Sequence, residues 1–152
     1  MKEVSIYLVS GINSMKKGSG YVAYCLEYYP EGKVHPQTLI DVEAVEEMTG
    51  RCAELEVLIK ALKRLKEKCA LSIYTESTYL DMGIGERYLV DKWKKNEWKD
   101  GKNVAVKNKE KWQEMLNLLN GNIYKVYLNY PNAYVEMLRE KVKMKGEIKN
   151  VR

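Results

Sequence analysis

A mixed α/β fold, in which one five-stranded sheet is flanked by helices, is predicted by three features of the chain. Three strand-like segments, at 4–10, 20–29 and 37–45, follow one another with only turn signals between them, which predicts an antiparallel meander. An amphipathic helix then leads into a fourth strand at 71–75, and a strand reached through a helix normally runs parallel to its neighbour. A fifth strand, at 123–130, is reached through further helices. The sheet is therefore expected to be mixed, with three antiparallel strands and then two parallel ones.

Residues 4–10 alternate and are rich in β-branched and aromatic types, 11–18 with Asn13, Lys16 and Lys17 reads as a turn, and Pro30-Glu31-Gly32 is a hairpin signal. In the long helix the apolar set is Leu55, Leu58, Ile59, Leu62 and Leu65, with Lys60, Lys63, Arg64, Lys66 and Lys68 in the other positions. A helix of about fifteen residues is roughly 22 Å long and a five-residue strand roughly 17 Å, so the helix start and the strand end reach one edge of the domain. Glu54 and Glu76 are expected to be neighbours there, and ligands of open α/β sheets sit outside strand ends.

After Tyr79, helical texture runs through Asp81 and again over 86–95, with Gly83 and Gly85 as breaks. Residues 98–106 read as a loop, and 109–119 as a helix using Trp112, Met115, Leu116 and Leu119, which Asn120-Gly121-Asn122 stops. Pro131 and Asn132 lead into a last helix from 133 to about 143, with Tyr134, Val135, Met137, Leu138 and Val142 as its apolar set. Beyond Lys145 the expectation is a loose basic tail, which divides the chain into one domain, 1–145, and a tail, 146–152.

Composition bounds the function. With 152 residues, 45% apolar content, twelve Tyr, three Trp and no Phe, the chain suits one domain with a real core. No apolar run approaches a membrane span and no leader precedes the first strand, so the expectation is a cytoplasmic protein without membrane contact, taken as a monomer. Cys25, Cys52 and Cys69 are odd in number and widely spaced, and with His35 as the single histidine they read as reduced thiols rather than zinc ligands. The net charge of +5 is unevenly placed. Residues 92–111 hold eight lysines against Glu97, Asp100 and Glu110, a local +5. Residues 141–152 hold five basic residues against Glu147, a local +4. The rest of the chain then sums to −4, so two positive patches lie on a slightly acidic body, as a phosphate-bearing partner would require.

The order of elements, together with Gly20-Tyr21 opening the second strand, Ala53-Glu54-Leu55 opening the long helix and Thr75-Glu76-Ser77-Thr78-Tyr79 ending the fourth strand, resembles type 1 ribonuclease H. Trp93-Lys94-Lys95-Asn96-Glu97-Trp98-Lys99, with Val106-Lys107-Asn108 and Trp112, is similar to that family's basic protrusion, a handle that grips the DNA strand of a hybrid. The resemblance covers nearly the whole chain. It implies a ribonuclease H-like fold, RNA:DNA hybrid or other duplex nucleic acid as partner, and Mg or Mn as cofactor if the chain is active. Nucleic-acid contacts are then expected from Lys94, Lys95, Lys99, Trp93, Trp98, Arg51, Thr78, Lys107 and Asn108.

The same resemblance implies four carboxylates holding two divalent ions, and here the chain departs. Its first position falls on Ser10, before Gly11; the second is kept as Glu54; the third and fourth fall on Glu76 and Glu136 where the family has Asp. The resemblance thus implies Ser10, Glu54, Glu76 and Glu136 as the catalytic set and the three glutamates as metal ligands. The family's Gly-His pair is replaced by Asn129-Tyr130, two gripping Asn by Gly50 and Arg51, and His35 has no place in this alignment. Ser10 brings no charge to ions that need bridging oxygens, and a 1 Å error in a catalytic group costs about a hundredfold. Three readings stay open: a hybrid-binding protein with weak or absent hydrolysis, an active Mg-dependent nuclease with altered ligands, and a protein-interaction module reusing the fold.

Overall fold

The computed structural model describes residues 1–151, with side chains through Glu147. In chain order the elements are β1 (Lys2–Ser10), β2 (Gly18–Tyr28), β3 (Gln37–Met48), α1 (Gly50–Leu62), β4 (Cys69–Thr75), α2 (Thr78–Ile84), α3 (Leu89–Lys95), α4 (Lys109–Leu119), β5 (Ile123–Leu128) and α5 (Val135–Val151). They form one sheet in the order β3-β2-β1-β4-β5. β1–β2 and β2–β3 pair antiparallel, while β1–β4 and β4–β5 pair parallel, as the sequence predicts.

Strand alternation divides the core. Val4, Ile6 and Leu8 of β1 face Leu55, Leu58, Ile59 and Leu62 of α1, together with Leu80, Trp112 and Met115. Tyr7 and Val9, on the other side, pack with Ala23, Cys25 and Leu138, so α5 covers β1 and β2 from behind. Burial pushes the Cys25 thiol up to about 12, keeping it protonated at neutral pH. All three cysteines are free; Cys25 and Cys69 are buried and Cys52 is half-buried. No helix among the described residues is long and apolar enough to cross a membrane.

Three local differences from the sequence-based expectation have physical causes. α1 starts at Gly50, earlier than its apolar periodicity indicates, because Thr49 Oγ1 accepts the Cys52 N–H at 3.2 Å and caps the helix. The Gly50 N–H also donates to the Ser14 carbonyl at 2.7 Å, and a Cβ at Gly50 would stand 3.0 Å from the Ile12 carbonyl, so the helix start is joined closely to the loop after β1. Gly83 lies inside α2 rather than breaking it, because a Cβ there would collide with the Trp112 ring; Gly85 ends the helix. α5 runs through Val151, past its expected end near Lys143 and into the expected tail. Lys141, Lys143, Met144, Lys145 and Glu147 are good helix formers, and the single Gly146 costs only about 1 kcal/mol, too little to stop the helix.

Candidate active site and nucleic-acid interface

The parallel strands β1 and β4 end side by side, and this edge gathers the predicted carboxylate positions. A cavity of about 130 Å³ is lined by Ser10 from β1, Glu54 and Val57 from α1, and Thr75, Glu76 and Ser77 at the end of β4. The expected neighbourhood of Glu54 and Glu76 is therefore formed. Glu136 reaches the edge from the first turn of α5, whose start Asn132 caps by accepting the Tyr134 and Val135 N–H groups at 2.9 Å each. It lines a separate cavity of about 200 Å³ with Glu76, Asn129, Tyr130 and Asn132. Glu76 stands between the two, and Glu136 and Glu54 line no cavity in common.

Every member of this set is already engaged within the fold. Ser10 Oγ accepts the Ile12 N–H at 3.2 Å and donates to the Ile12 carbonyl at 3.4 Å, closing the turn after β1. Ser77 Oγ donates to Glu54 at 2.5 Å while accepting the Leu80 N–H at 2.9 Å as the cap of α2. Arg139, one turn beyond Glu136 on α5, donates one guanidinium nitrogen to Glu76 and another to Glu136. Its bonds first to Glu76 and then to Glu136 raise an already high guanidinium pKa. Among the described residues no group of three or more His, Cys, Asp or Glu side chains stands close enough to hold a metal ion. A two-metal centre needs several bridging carboxylate oxygens facing two hard cations, and as the side chains stand here Glu54 faces Ser77 while Glu76 and Glu136 face Arg139.

A larger groove, about 590 Å³, opens beside this edge between the starts of α1 and α4. Arg51, Glu54, Tyr79, Lys107 and Asn108 line it, with Asn13, Ser14 and Met15 from the loop after β1. Tyr79 organises it. Its hydroxyl accepts from Trp112 Nε1 at 3.1 Å and Asn108 Nδ2 at 3.2 Å and donates to the Lys107 carbonyl at 3.3 Å, while Arg51 stands over its ring at 4.9 Å. Of the predicted contact residues, Arg51, Lys107 and Asn108 therefore converge in one groove. Thr78 is exposed at the start of α2 and does not line it.

The handle is a folded unit. Trp93 of α3 lies 5.3 Å from Trp112 and 6.2 Å from Trp98, and both Trp93 and Trp98 are half-buried against the core. Glu97 and Trp98 adopt left-handed backbone at φ 54° and 60°, which reverses the chain so that Trp98 N–H donates to the Trp93 carbonyl at 2.7 Å. The expected loop over 98–106 is tied by a bridge between Lys99 and Ala105 and by Asp100, whose Oδ1 accepts the Lys102 and Val104 N–H groups at 2.7 and 3.0 Å. Lys94, Lys95 and Lys99 are exposed. Two of the eight lysines of 92–111 are paired, both with residues outside that stretch: Lys95 with Asp91 at 3.0 Å, and Lys111 with the buried Glu56 of α1.

Nothing in the sequence marks Asn13, Tyr79 or Arg139 as a site residue: Asn13 reads only as part of a turn. Tyr79 belongs to the quoted Thr75–Tyr79 motif but carries no charge to mark it. Arg139 signals its pairing with Glu136 through their three-residue spacing, yet its second partner is remote in sequence. His35 is exposed in the connection between β2 and β3, which the β1–β2 register puts at the opposite edge of the sheet from Ser10.

The RNase H family profile matches residues 1–134. A ribonuclease H of Caldicellulosiruptor saccharolyticus is 38% identical over 120 residues, covering 78% of this chain and 77% of that protein. A ribonuclease H of Acetivibrio thermocellus is 39% identical over 127 residues, 83% of this chain and 79% of that one. Among solved structures, LC9-RNase H1, a type 1 RNase H with the type 2 active-site motif, superposes with a TM-score of 0.74 at 17% identity over 95% of this chain and 72% of its own. The foamy viral protease-reverse transcriptase in complex with RNA/DNA hybrid gives 0.65 at 16% identity, over 95% of this chain and 20% of that one.

Proposed function

The chain belongs to the RNase H family, and from that premise we propose that it binds RNA:DNA hybrid or a related nucleic-acid duplex through its groove and handle, with weak or absent metal-dependent hydrolysis. The observation that carries the binding half is the continuity of the two surfaces: Lys107 and Asn108 close the handle and line the groove that Arg51 and Tyr79 share. Arg51 and Lys107 provide cationic contacts for phosphate, and exposed Lys94 and Lys99 extend them along the handle. Such contacts read backbone rather than bases, so affinity is expected to be nearly independent of sequence. The hydrolytic half is supported by the edge itself, where Ser10 is neutral and Glu54, Glu76 and Glu136 are each held by an internal donor. The functional unit in this reading is 1–145, and the basic residues of 146–152 add charge without sequence preference.

Fluorescence anisotropy with labelled hybrid, double-stranded DNA and double-stranded RNA tests the binding half. Hybrid affinity should fall with salt at a log–log slope steeper than about −2.7, the equivalent of three phosphate contacts at roughly −0.9 each. Two hybrids of unrelated sequence should bind equally. Absence of binding to any duplex at low salt would reject the reading in favour of a protein-interaction module.

A further inference from the structure

We propose that Arg139 is the resident counter-cation of the strand-end edge: its guanidinium stands in for a divalent ion between Glu76 and Glu136 and closes this edge to Mg and Mn. The inference rests on the preceding reading only in taking this edge as the family's metal position, and it is measurable on the free protein without nucleic acid.

The geometry separates this pairing from an ordinary surface contact. A guanidinium presents its donors in a fixed planar fork, and here two different nitrogens serve two carboxylates from different elements, β4's end and α5's first turn. Arg139 is thus the group that brings Glu76 and Glu136 to one cation. Glu136 is 85% exposed and Glu76 49%, so neither carboxylate needs a partner merely to escape burial. The adjoining residues of the edge are turned to internal partners. Glu54 already accepts the Ser77 hydroxyl, and Ser10 is turned back onto Ile12. A divalent ion arriving at Glu76 would meet a fixed positive charge, and at hydrogen-bonding range that repulsion alone lowers its affinity roughly tenfold even in water.

The test is Mn²⁺ binding to the whole protein, followed by water-proton relaxation, in wild type, Arg139→Met, Arg139→Lys and the double variant Arg139→Met with Glu76→Gln. Arg139→Met keeps much of the stem and removes the charge; Arg139→Lys keeps the charge. Wild type and Arg139→Lys should bind Mn²⁺ at least about tenfold more weakly than Arg139→Met, and the gain should vanish in the double variant. Circular dichroism on each variant checks that it is folded. Equal Mn²⁺ affinity in wild type and Arg139→Met would overturn the proposal, as would a gain in Arg139→Met that survives Glu76→Gln. If Arg139→Met fails to fold, wild type alone decides: saturable Mn²⁺ binding that Glu76→Gln removes overturns it, and its absence supports it. Loss of hybrid binding would leave this result untouched, and failure here would leave hybrid binding untouched.

Discussion

Replacing Trp112 with alanine should cost about 3–5 kcal/mol of stability, the usual penalty for emptying a buried indole site. Against a total of about 5–15 kcal/mol this removes much of the margin, and for a chain of this size it lowers the melting temperature by roughly 6–20 °C. The magnitude follows from how many parts the ring joins. Trp112 is fully buried, packs on Trp93 and Tyr79, fills the space that Gly83 leaves in α2, and donates to the Tyr79 hydroxyl. The same change removes the surface on which Trp93 of the handle rests. Hybrid affinity should therefore fall even at temperatures where the variant is folded. Trp112→Phe keeps most of the volume and loses the N–H, so its cost should be nearer the ~1 kcal/mol of a single hydrogen bond. Thermal melts of the three proteins check the order; a loss below 1 kcal/mol for the alanine variant would mean that α2, α4 and the handle are not joined through this ring.

The second large effect is on binding. Changing Lys94, Lys95 and Lys99 together to alanine should weaken hybrid binding by roughly ten- to a hundredfold, taking about 0.5–1 kcal/mol per exposed charge contact. The salt slope should flatten by nearly three phosphate contacts. Single variants should not be equal, because Lys95 already pairs with Asp91 one turn away. Lys94→Ala and Lys99→Ala should each lower affinity and slope more than Lys95→Ala does. Lys111 contributes to the same positive stretch in sequence, yet its charge is matched by Glu56 between α1 and α4. Lys111→Ala should reduce stability, by leaving a buried carboxylate alone, before it changes the salt slope. Unchanged binding and slope in the triple variant would remove the handle from the interface.

The legibility of this chain was uneven for physical reasons. Helix α4 was readable because Trp112, Met115 and Leu119 recur at helical spacing and all turn inward. The sheet is readable because β4 alternates cleanly, with Leu71, Ile73 and Thr75 buried on one side, and because β1 is a short run of β-branched and aromatic residues buried on both faces. Gly83 reads as a break in the sequence because its reason lies in Trp112, a residue in another helix. The start of α1 lies earlier than the sequence indicates because apolar periodicity begins at Leu55, whereas the capping bond belongs to Thr49. At the site, helix and strand lengths bring Glu54 and Glu76 to one edge, resemblance adds Ser10, Glu136 and the handle, and charge marks the handle's stretch as one of two positive patches. What no spacing could show was which donors the carboxylates meet. Ser77 is a cap for α2 before it is a partner of Glu54, and Arg139 meets Glu76 only because α5 starts where β4 ends.

Ser10→Asp, Glu76→Asp and Glu136→Asp together would add one charge, at position 10, and shorten two side chains, but Arg139 would still face two of the three positions. The central claim is binding without efficient cleavage, and one measurement addresses both parts. A hybrid labelled on its RNA strand is saturated with the protein in EDTA, anisotropy is recorded, Mg²⁺ or Mn²⁺ is then added in excess, and the RNA length is followed with time. The account predicts full binding in EDTA and RNA that stays essentially intact after either metal is added. Rapid metal-dependent shortening of the RNA, abolished by Glu54→Gln, would contradict it and make this chain an active nuclease with an altered ligand set.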